Sequence, residues 1–207
     1  MGANILDGVT RLARDHPDAG LQVVDAGEVV DGPALAHAFI GENTRPESKI
    51  GGFDRLLAGS RGAWAEVALF KFCYADFTAQ TDVPRLFEIY ARAHEVRKAA
   101  HPRVLFVHVT APLTTVQRGP KAWLRKRAGS AAWGERENER RNQYNNLLRR
   151  QYGSDPLFDL ARFEAVGRGE RLADAYTDDG GHLNEVGQAA VAEQLVVFLS
   201  TLPGSRR

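Results

Sequence analysis

The chain has 207 residues, of which 26% are charged and 43% hydrophobic, and its net charge at pH 7 is +1. A length of this order predicts a single domain over residues 1–207. The near-neutral charge gives no general attraction to nucleic acid or to anionic membranes, and neither is expected as a partner. The only cysteine, Cys73, excludes an internal disulfide and a multi-cysteine zinc site.

The sequence shows neither a membrane-span pattern nor a signal-peptide pattern. Apolar runs stay well below the roughly 20 residues that a span needs. The opening residues are not a basic stretch followed by an apolar one. A cytoplasmic location is therefore the default expectation, and secretion stays open if further residues precede residue 1.

Apolar spacing predicts alternating helices and strands in the first half of the chain. A helix is expected over residues 4–15 and a short strand over 21–25. A polar loop over 39–46 leads to a short helix over 50–57. Residues 63–74 form a nearly continuous apolar stretch, which is typical of a strand covered on both faces.

The second half continues the same alternation. A helix is predicted from Asp82 to residue 100, because proline follows early in the first turn, and a buried strand follows over 104–110. Residues 114–134 have the composition of a long loop. The predictions for the rest of the chain are a helix over 135–152 with Gly153 as C-cap, a strand over 156–160, and a closing helix over 184–202 capped by Asn184.

Strands that alternate with helices predict an α/β fold, with a parallel sheet between two layers of helices. Ligands of such sheets bind beyond the carboxyl ends of the strands. The segments that follow the predicted strands are therefore the places where functional side chains are expected.

Two carboxylates, two glycines and a histidine stand together in Asp178-Asp179-Gly180-Gly181-His182. A carboxylate that accepts a hydrogen bond from histidine Nδ1 fixes the tautomer and leaves Nε2 free as a base. The two glycines permit the tight bend that would bring Asp179 to His182. This stretch therefore predicts a pair for acid–base chemistry, whereas a surface turn is the plain alternative.

The stretch from Asp179 to Gly187 resembles the C-terminal block of the SGNH (GDSL-like) hydrolases, and Gly41 and Asn43 resemble a second block of that family. The resemblance implies a flavodoxin-like three-layer fold and hydrolysis of acyl esters without a cofactor. It implies that Asp179 orients His182, and that Gly41, Asn43 and the amide of Gly2 stabilise the oxyanion. A small-molecule or carbohydrate acyl ester is the implied substrate.

The chain departs from the family pattern at two places. In the third block Asp76 matches, but Ala75 stands where the family has an oxyanion asparagine, so Lys71 or Asn43 is a candidate replacement. The resemblance implies that the first strand and its nucleophilic serine lie before residue 1. The six serines present do not combine a preceding strand with a following helix. The chain as given is accordingly expected to be nearly inactive, and to be marginally stable or to form a homo-oligomer.

Three alternatives remain at this point. Cys73 follows a predicted strand and would act as a thiol nucleophile with His182 and Asp179. The basic segment 117–150 would instead serve a non-catalytic module that binds polyanions. A metal site at Asp178, Asp179 and His182 lacks further identifiable ligands, so no metal is expected there. The remaining histidines are predicted to be structural or exposed, and His108 is predicted to be a core histidine whose hydrogen bonds are satisfied.

Overall fold

Helices alternate with short parallel strands in the computed structural model, which describes residues 2–28, 31–165 and 170–203. The side chains of Arg61 and Lys126 are outside this description. The helices are α1 (Gly2–Asp15), α2 (Pro46–Ala58), α3 (Val83–Ala100), α4 (Pro120–Arg127), α5 (Glu135–Tyr152), α6 (Leu160–Phe163) and α7 (Glu185–Ser200). The strands are β1 (Gln22–Asp25), β2 (Ala34–His37), β3 (Val67–Leu69), β4 (Leu105–Val109) and β5 (Leu157–Phe158).

The strands form two parallel sheets. Strands β1 and β2 pair with Gln22 opposite Ala34, whereas β3, β4 and β5 pair in that order. The predicted α/β class with parallel strands and flanking helices is confirmed. The strands of the described residues are divided between two sheets, however, and do not form one continuous sheet.

Most predicted helices lie where the apolar spacing indicated. The bounds of α5 are those predicted, with Gly153 at the C-cap in a right-handed conformation. Helix α3 begins after Asp82, whose side chain accepts a hydrogen bond from the backbone N–H of Arg85. Helix α7 begins after Asn184, which caps it in the same way through the N–H of Gly187. These caps satisfy N–H groups that would otherwise lack a partner.

Two predictions of secondary structure were wrong, and one strand was missed. The strand expected over 63–74 is only three residues long, because the chain leaves the sheet after Leu69 and forms a 3-10 turn at Tyr74–Asp76. The loop expected over 114–134 contains α4. Strand β2 was not predicted, because its sequence Ala-Leu-Ala-His shows no alternation of polar and apolar side chains. All four residues are half-buried.

The buried side chains of the described residues form separate hydrophobic clusters. Helix α1 packs closely on α7, where a Cβ on Gly8 would lie 2.4 Å from the backbone oxygen of Gln188. Val9 and Val191 are fully buried at this contact. A second cluster is largely aromatic and includes Phe72, which follows β3, and Tyr144 of α5. In the part of the chain described, helices with the length and apolarity needed to cross a membrane are absent.

Candidate active site

The turn before α7 brings a carboxylate to an imidazole. Asp179 Oδ2 lies 2.6 Å from His182 Nδ1. The other oxygen, Oδ1, accepts the backbone N–H groups of Gly181 at 2.8 Å and of His182 at 2.7 Å. The carboxylate is therefore fixed by its own turn, and the predicted contact between Asp179 and His182 is present.

These hydrogen bonds determine the charge and the tautomer of the pair. The backbone N–H groups of His182 and Gly181, followed by the His182 side chain, lower the pKa of Asp179 well below its ordinary value of 3.8. The ionised carboxylate accepts a hydrogen bond from Nδ1–H, so the lone pair of the neutral imidazole is on Nε2. The His182 side chain is about half exposed.

Glycine is needed inside this turn for two separate reasons. Gly180 has a φ of +88°, and a Cβ there would lie 2.6 Å from Thr115 Oγ1. Gly181 lies against the ring of Tyr74, where a Cβ would approach Cζ to 3.1 Å. The backbone N–H of Thr115 donates to the carbonyl of Gly180 at 2.8 Å, which ties the turn to the segment after β4.

Tyr74 is the side chain that contacts the free nitrogen of the imidazole. Its hydroxyl lies 3.3 Å from His182 Nε2, and the two rings meet edge to face with centroids 5.5 Å apart. Partial burial raises the pKa of the phenol above its ordinary value, so the hydroxyl is the hydrogen-bond donor. This contact was not predicted from the sequence, because a tyrosine after a strand is not distinctive.

Arg141 of α5 supports Tyr74 from behind and was also missed. Its Nε donates to the Tyr74 carbonyl at 3.1 Å, its Nη1 donates to Thr114 Oγ1 at 2.9 Å, and the guanidinium lies 5.9 Å from the centre of the Tyr74 ring. Burial lowers the pKa of Arg141 to about 10, which still leaves it charged at neutral pH. A buried cation thus lies beside the candidate site.

A buried ion pair joins helix α2 to the turn that carries Tyr74. Asp76 Oδ2 lies 2.6 Å from Lys49 Nζ and accepts the N–H of Cys73, while Oδ1 accepts the N–H of Thr44. Lys49 Nζ also donates to Asn43 Oδ1 at 2.9 Å. Asp76 is 3% exposed, so its present role is to hold these loops together.

The architecture can be compared with that of known structures. A GDSL-like lipase from Bacteroides thetaiotaomicron is similar over 96% of this chain and 85% of its own, with 14% identity and a TM-score of 0.56. A lipase/acylhydrolase from Enterococcus faecalis is similar over 94% and 84%, with 16% identity and a TM-score of 0.54. A presumed acylhydrolase from Bacteroides fragilis reaches a TM-score of 0.60 at 15% identity, over 96% and 84%. The chain has the SGNH (GDSL-like) hydrolase fold.

At these sequence identities the structural similarity establishes the fold alone, and any statement about chemistry must rest on the residues of this chain. No family model matches the sequence, and no curated protein matches it. The structural relatives are lipases and acylhydrolases by description.

The residues that the resemblance assigned to the oxyanion differ in their local surroundings. Gly41 has a φ of +60°, and a Cβ there would lie 2.6 Å from the N of Lys49. Asn43 uses its carbonyl oxygen to bind Lys49, so its amide nitrogen is the end available as a donor. Gly2 is the first residue of α1, where a Cβ would meet no atom within 4 Å. Their roles toward an oxyanion stay predictions.

Lys71 and Cys73 lie on the segment that leaves β3. Burial lowers the pKa of Lys71, and its Nζ donates to the carbonyl of Phe72 at 3.3 Å. In the 3-10 turn the backbone N–H of Asp76 donates to the Cys73 carbonyl at 3.1 Å, and the backbone N–H of Cys73 donates to Asp76 Oδ2 at 2.7 Å. The neighbouring Tyr74, and not the thiol, is the group that hydrogen bonds to His182. Catalytic roles for Lys71 and Cys73 stay predictions.

Asp178 contacts the N-terminal cap of α7. Its Oδ1 accepts a hydrogen bond from Asn184 Nδ2 at 3.3 Å, which ties it to the cap of α7. Both oxygens of Asp179 are already used by hydrogen bonds within the turn. This arrangement suits a histidine base and its orienting carboxylate.

Proposed function

We propose that this chain is an ester hydrolase in which His182 is the general acid–base and Asp179 orients it. The observation that carries the proposal is the 2.6 Å contact between Asp179 Oδ2 and His182 Nδ1, which leaves Nε2 as the nitrogen available for proton transfer. The SGNH fold and the lipases and acylhydrolases that share it support the class of reaction.

The chemistry follows from the tautomer of His182. A hydroxyl attacks the acyl carbonyl while Nε2 takes its proton, and Asp179 stabilises the imidazolium that results. Amides of Gly41, Asn43 and Gly2 are the proposed donors to the oxyanion. Nε2 then returns the proton to the departing alcohol, and the acyl group stays on the attacking oxygen. A water molecule that gives its proton to Nε2 attacks this acyl group, and the acid leaves as Nε2 returns the proton to the hydroxyl oxygen. The Tyr74 hydroxyl must release Nε2 before this cycle begins.

We propose a small-molecule or carbohydrate acyl ester as the substrate, in line with an open, half-exposed His182. The attacking hydroxyl is expected to belong to a serine, as the resemblance implies. The position predicted for that serine, before residue 1, stays a prediction.

The test is hydrolysis of p-nitrophenyl acetate by excess protein at pH 7, with His182→Ala as the variant. Weak hydrolysis by the wild type that is about 100-fold faster than that by His182→Ala is expected, which is a typical contribution of a positioned acid–base group. Equal rates would contradict the proposal. Pretreatment with iodoacetamide distinguishes the thiol alternative, because inactivation by alkylation of Cys73 would assign the nucleophile to that residue.

A polyanion-binding module is the second candidate, and the surface around α4 favours it. Trp123 and Trp133 are 59% and 68% exposed, with Arg127 and Arg125 stacked over their rings at 4.8 Å and 5.4 Å. Such a function predicts salt-dependent binding to heparin that is unchanged by His182→Ala. Binding that is absent at low salt would exclude it.

A further inference from the structure

Two buried histidines and an aspartate converge away from His182. His94 comes from α3, His108 from β4, and Asp155 from the turn before β5. One potential ligand atom from each residue lies within 4.8 Å of the other two, and His108 Nε2 is 3.9 Å from Asp155 Oδ2. This trio, hereafter the His–His–Asp cluster, joins three separate elements of the fold.

One nitrogen of the cluster is buried without a partner. His108 is 1% exposed, and its Nδ1 is hydrogen bonded to the Tyr90 hydroxyl at 2.7 Å. Its Nε2 has no hydrogen-bond partner among the described residues. A buried polar atom left unpaired costs about 1–3 kcal/mol, so the predicted satisfied core histidine is wrong at this atom.

Aromatic packing fixes the orientation of both imidazoles. The Tyr152 ring is stacked on His108 with centroids 3.9 Å apart, and His94 lies 4.4 Å from His108 between centroids. The Tyr90 hydroxyl can accept a hydrogen bond from His108 Nδ1–H, and in that tautomer the lone pair for a metal is on Nε2. This is the outer hydrogen bond that metal-binding histidines usually make.

The histidines are held in the neutral form that binds metals. Burial lowers the pKa of His108 to about 3 and lowers that of His94 as well. The positive charges of Lys98 and Arg97 lower both pKa values further. The negative charges of Glu95 and Asp155 raise the pKa of His94 and so partly offset this effect. The charge of Arg97 is paired with Asp54, which reduces its repulsion of a cation.

We propose that His94, His108 and Asp155 bind a zinc ion, with water as the fourth ligand. Two imidazoles and a carboxylate form a usual zinc donor set, with bonds of about 2.0–2.2 Å and ligand atoms roughly 3.3–3.6 Å apart. His108 Nε2 and Asp155 Oδ2 are 3.9 Å apart and all three ligand atoms lie within 4.8 Å of one another, so zinc binding requires a small inward movement. Asp155 can make it, because its side chain is 42% exposed and also leaves a route for the ion and its water.

The test is titration of the metal-free full chain with Zn²⁺ by calorimetry, together with Co²⁺ absorption as a report on geometry. One zinc per chain is expected, with a thermal midpoint that rises with zinc concentration. Asp155→Asn should weaken binding at least about 10-fold, and Tyr90→Phe about 10-fold through loss of the outer hydrogen bond. Both changes keep side-chain volume, and Asp155 is at the surface, so the fold should persist.

Two control variants separate this site from others. Glu95→Gln removes a nearby negative charge without removing a ligand, and should leave the affinity within about threefold. His182→Ala should bind zinc as the wild type does. Absence of one-to-one binding by the wild type would overturn the proposal, as would unchanged affinity in Asp155→Asn or loss of binding in His182→Ala.

Discussion

At the scale of single residues, the site depends on what each nitrogen of His182 contacts. Nδ1 faces a carboxylate whose pKa is lowered by two backbone N–H groups, so the proton between them stays on the imidazole at neutral pH. Nε2 faces the Tyr74 hydroxyl, which must move aside for a substrate. The ring of Tyr74 and its hydroxyl are therefore expected to contribute differently.

Tyr74→Phe keeps the ring against His182 and Gly181 and removes only the hydroxyl at 3.3 Å. We expect kcat/KM for a short acyl ester to change less than about threefold, because an exposed hydrogen bond of this length is weak. Tyr74→Ala removes the ring that fixes the imidazole, and should lower kcat/KM at least about 10-fold. Equal effects of the two changes would contradict the separate role of the ring.

At the scale of elements, the order of the chain explains which parts of the site the sequence could predict. Asp179 and His182 are neighbours in one turn, and the cap at Asn184 fixes the helix that follows, so local rules suffice. The contact with Tyr74 depends on where the chain turns after Leu69, and that turn is held by a buried ion pair between Asp76 and Lys49. Spacing along the sequence does not encode such a contact.

Helix α4 was not predicted for a related reason. Half of its eight residues are basic, and Trp123 and Leu124 are 59% and 63% exposed, so it has little of the apolar face by which helices are recognised. The predicted long strand failed for the opposite reason. Its apolar side chains, including Phe72, are buried among aromatic rings after the chain has left the sheet, and burial alone does not require a strand.

The turn itself can be tested at Gly180, with Gly129 as the matched control. Both have positive φ, +88° and +74°, but a Cβ meets Thr115 Oγ1 at 2.6 Å only at position 180. Gly129→Ala should cost about 1–2 kcal/mol from backbone strain, and Gly180→Ala should cost more. Chemical denaturation measures this difference. A parallel ester assay should show at least about 10-fold loss for Gly180→Ala alone.

The ion pair that holds the Tyr74 turn is expected to be essential to stability. Asp76→Ala leaves Lys49 buried and uncompensated, since its side chain is only 7% exposed, and should lower the free energy of unfolding by about 3–5 kcal/mol. The control Asp82→Ala removes only the exposed cap of α3 and should cost about 1 kcal/mol. Similar costs in urea denaturation would show that the buried pair adds little.

At the scale of the whole molecule, one buried acid should shape the dependence of stability on pH. Glu164 is fully buried and accepts the N–H of Leu113, and burial raises its pKa from 4.5 to about 8. Because the folded pKa is raised, its stabilising contribution is complete below pH 4.5 and is lost as the pH rises toward 8. The loss is at most about 1.4 kcal/mol per pH unit.

Glu164→Gln keeps an oxygen to accept the Leu113 N–H but does not ionise. The variant should therefore lack this loss of stability between pH 4.5 and 8, and should be more stable than the wild type at pH 8. Glu170→Gln, at an exposed position, is the control and should keep the wild-type slope. Urea denaturation at several pH values gives the comparison, and identical slopes for all three proteins would contradict the assignment.

The central claim is that His182 and Asp179 act as one acid–base unit, and a double-mutant cycle on ester hydrolysis tests it most directly. Asp179→Asn presents the wrong hydrogen-bonding group to Nδ1, and we expect kcat to fall about 100-fold or more. In a protein that already carries His182→Ala, the same change should have almost no further effect. Independent, multiplicative losses from the two substitutions would contradict the account.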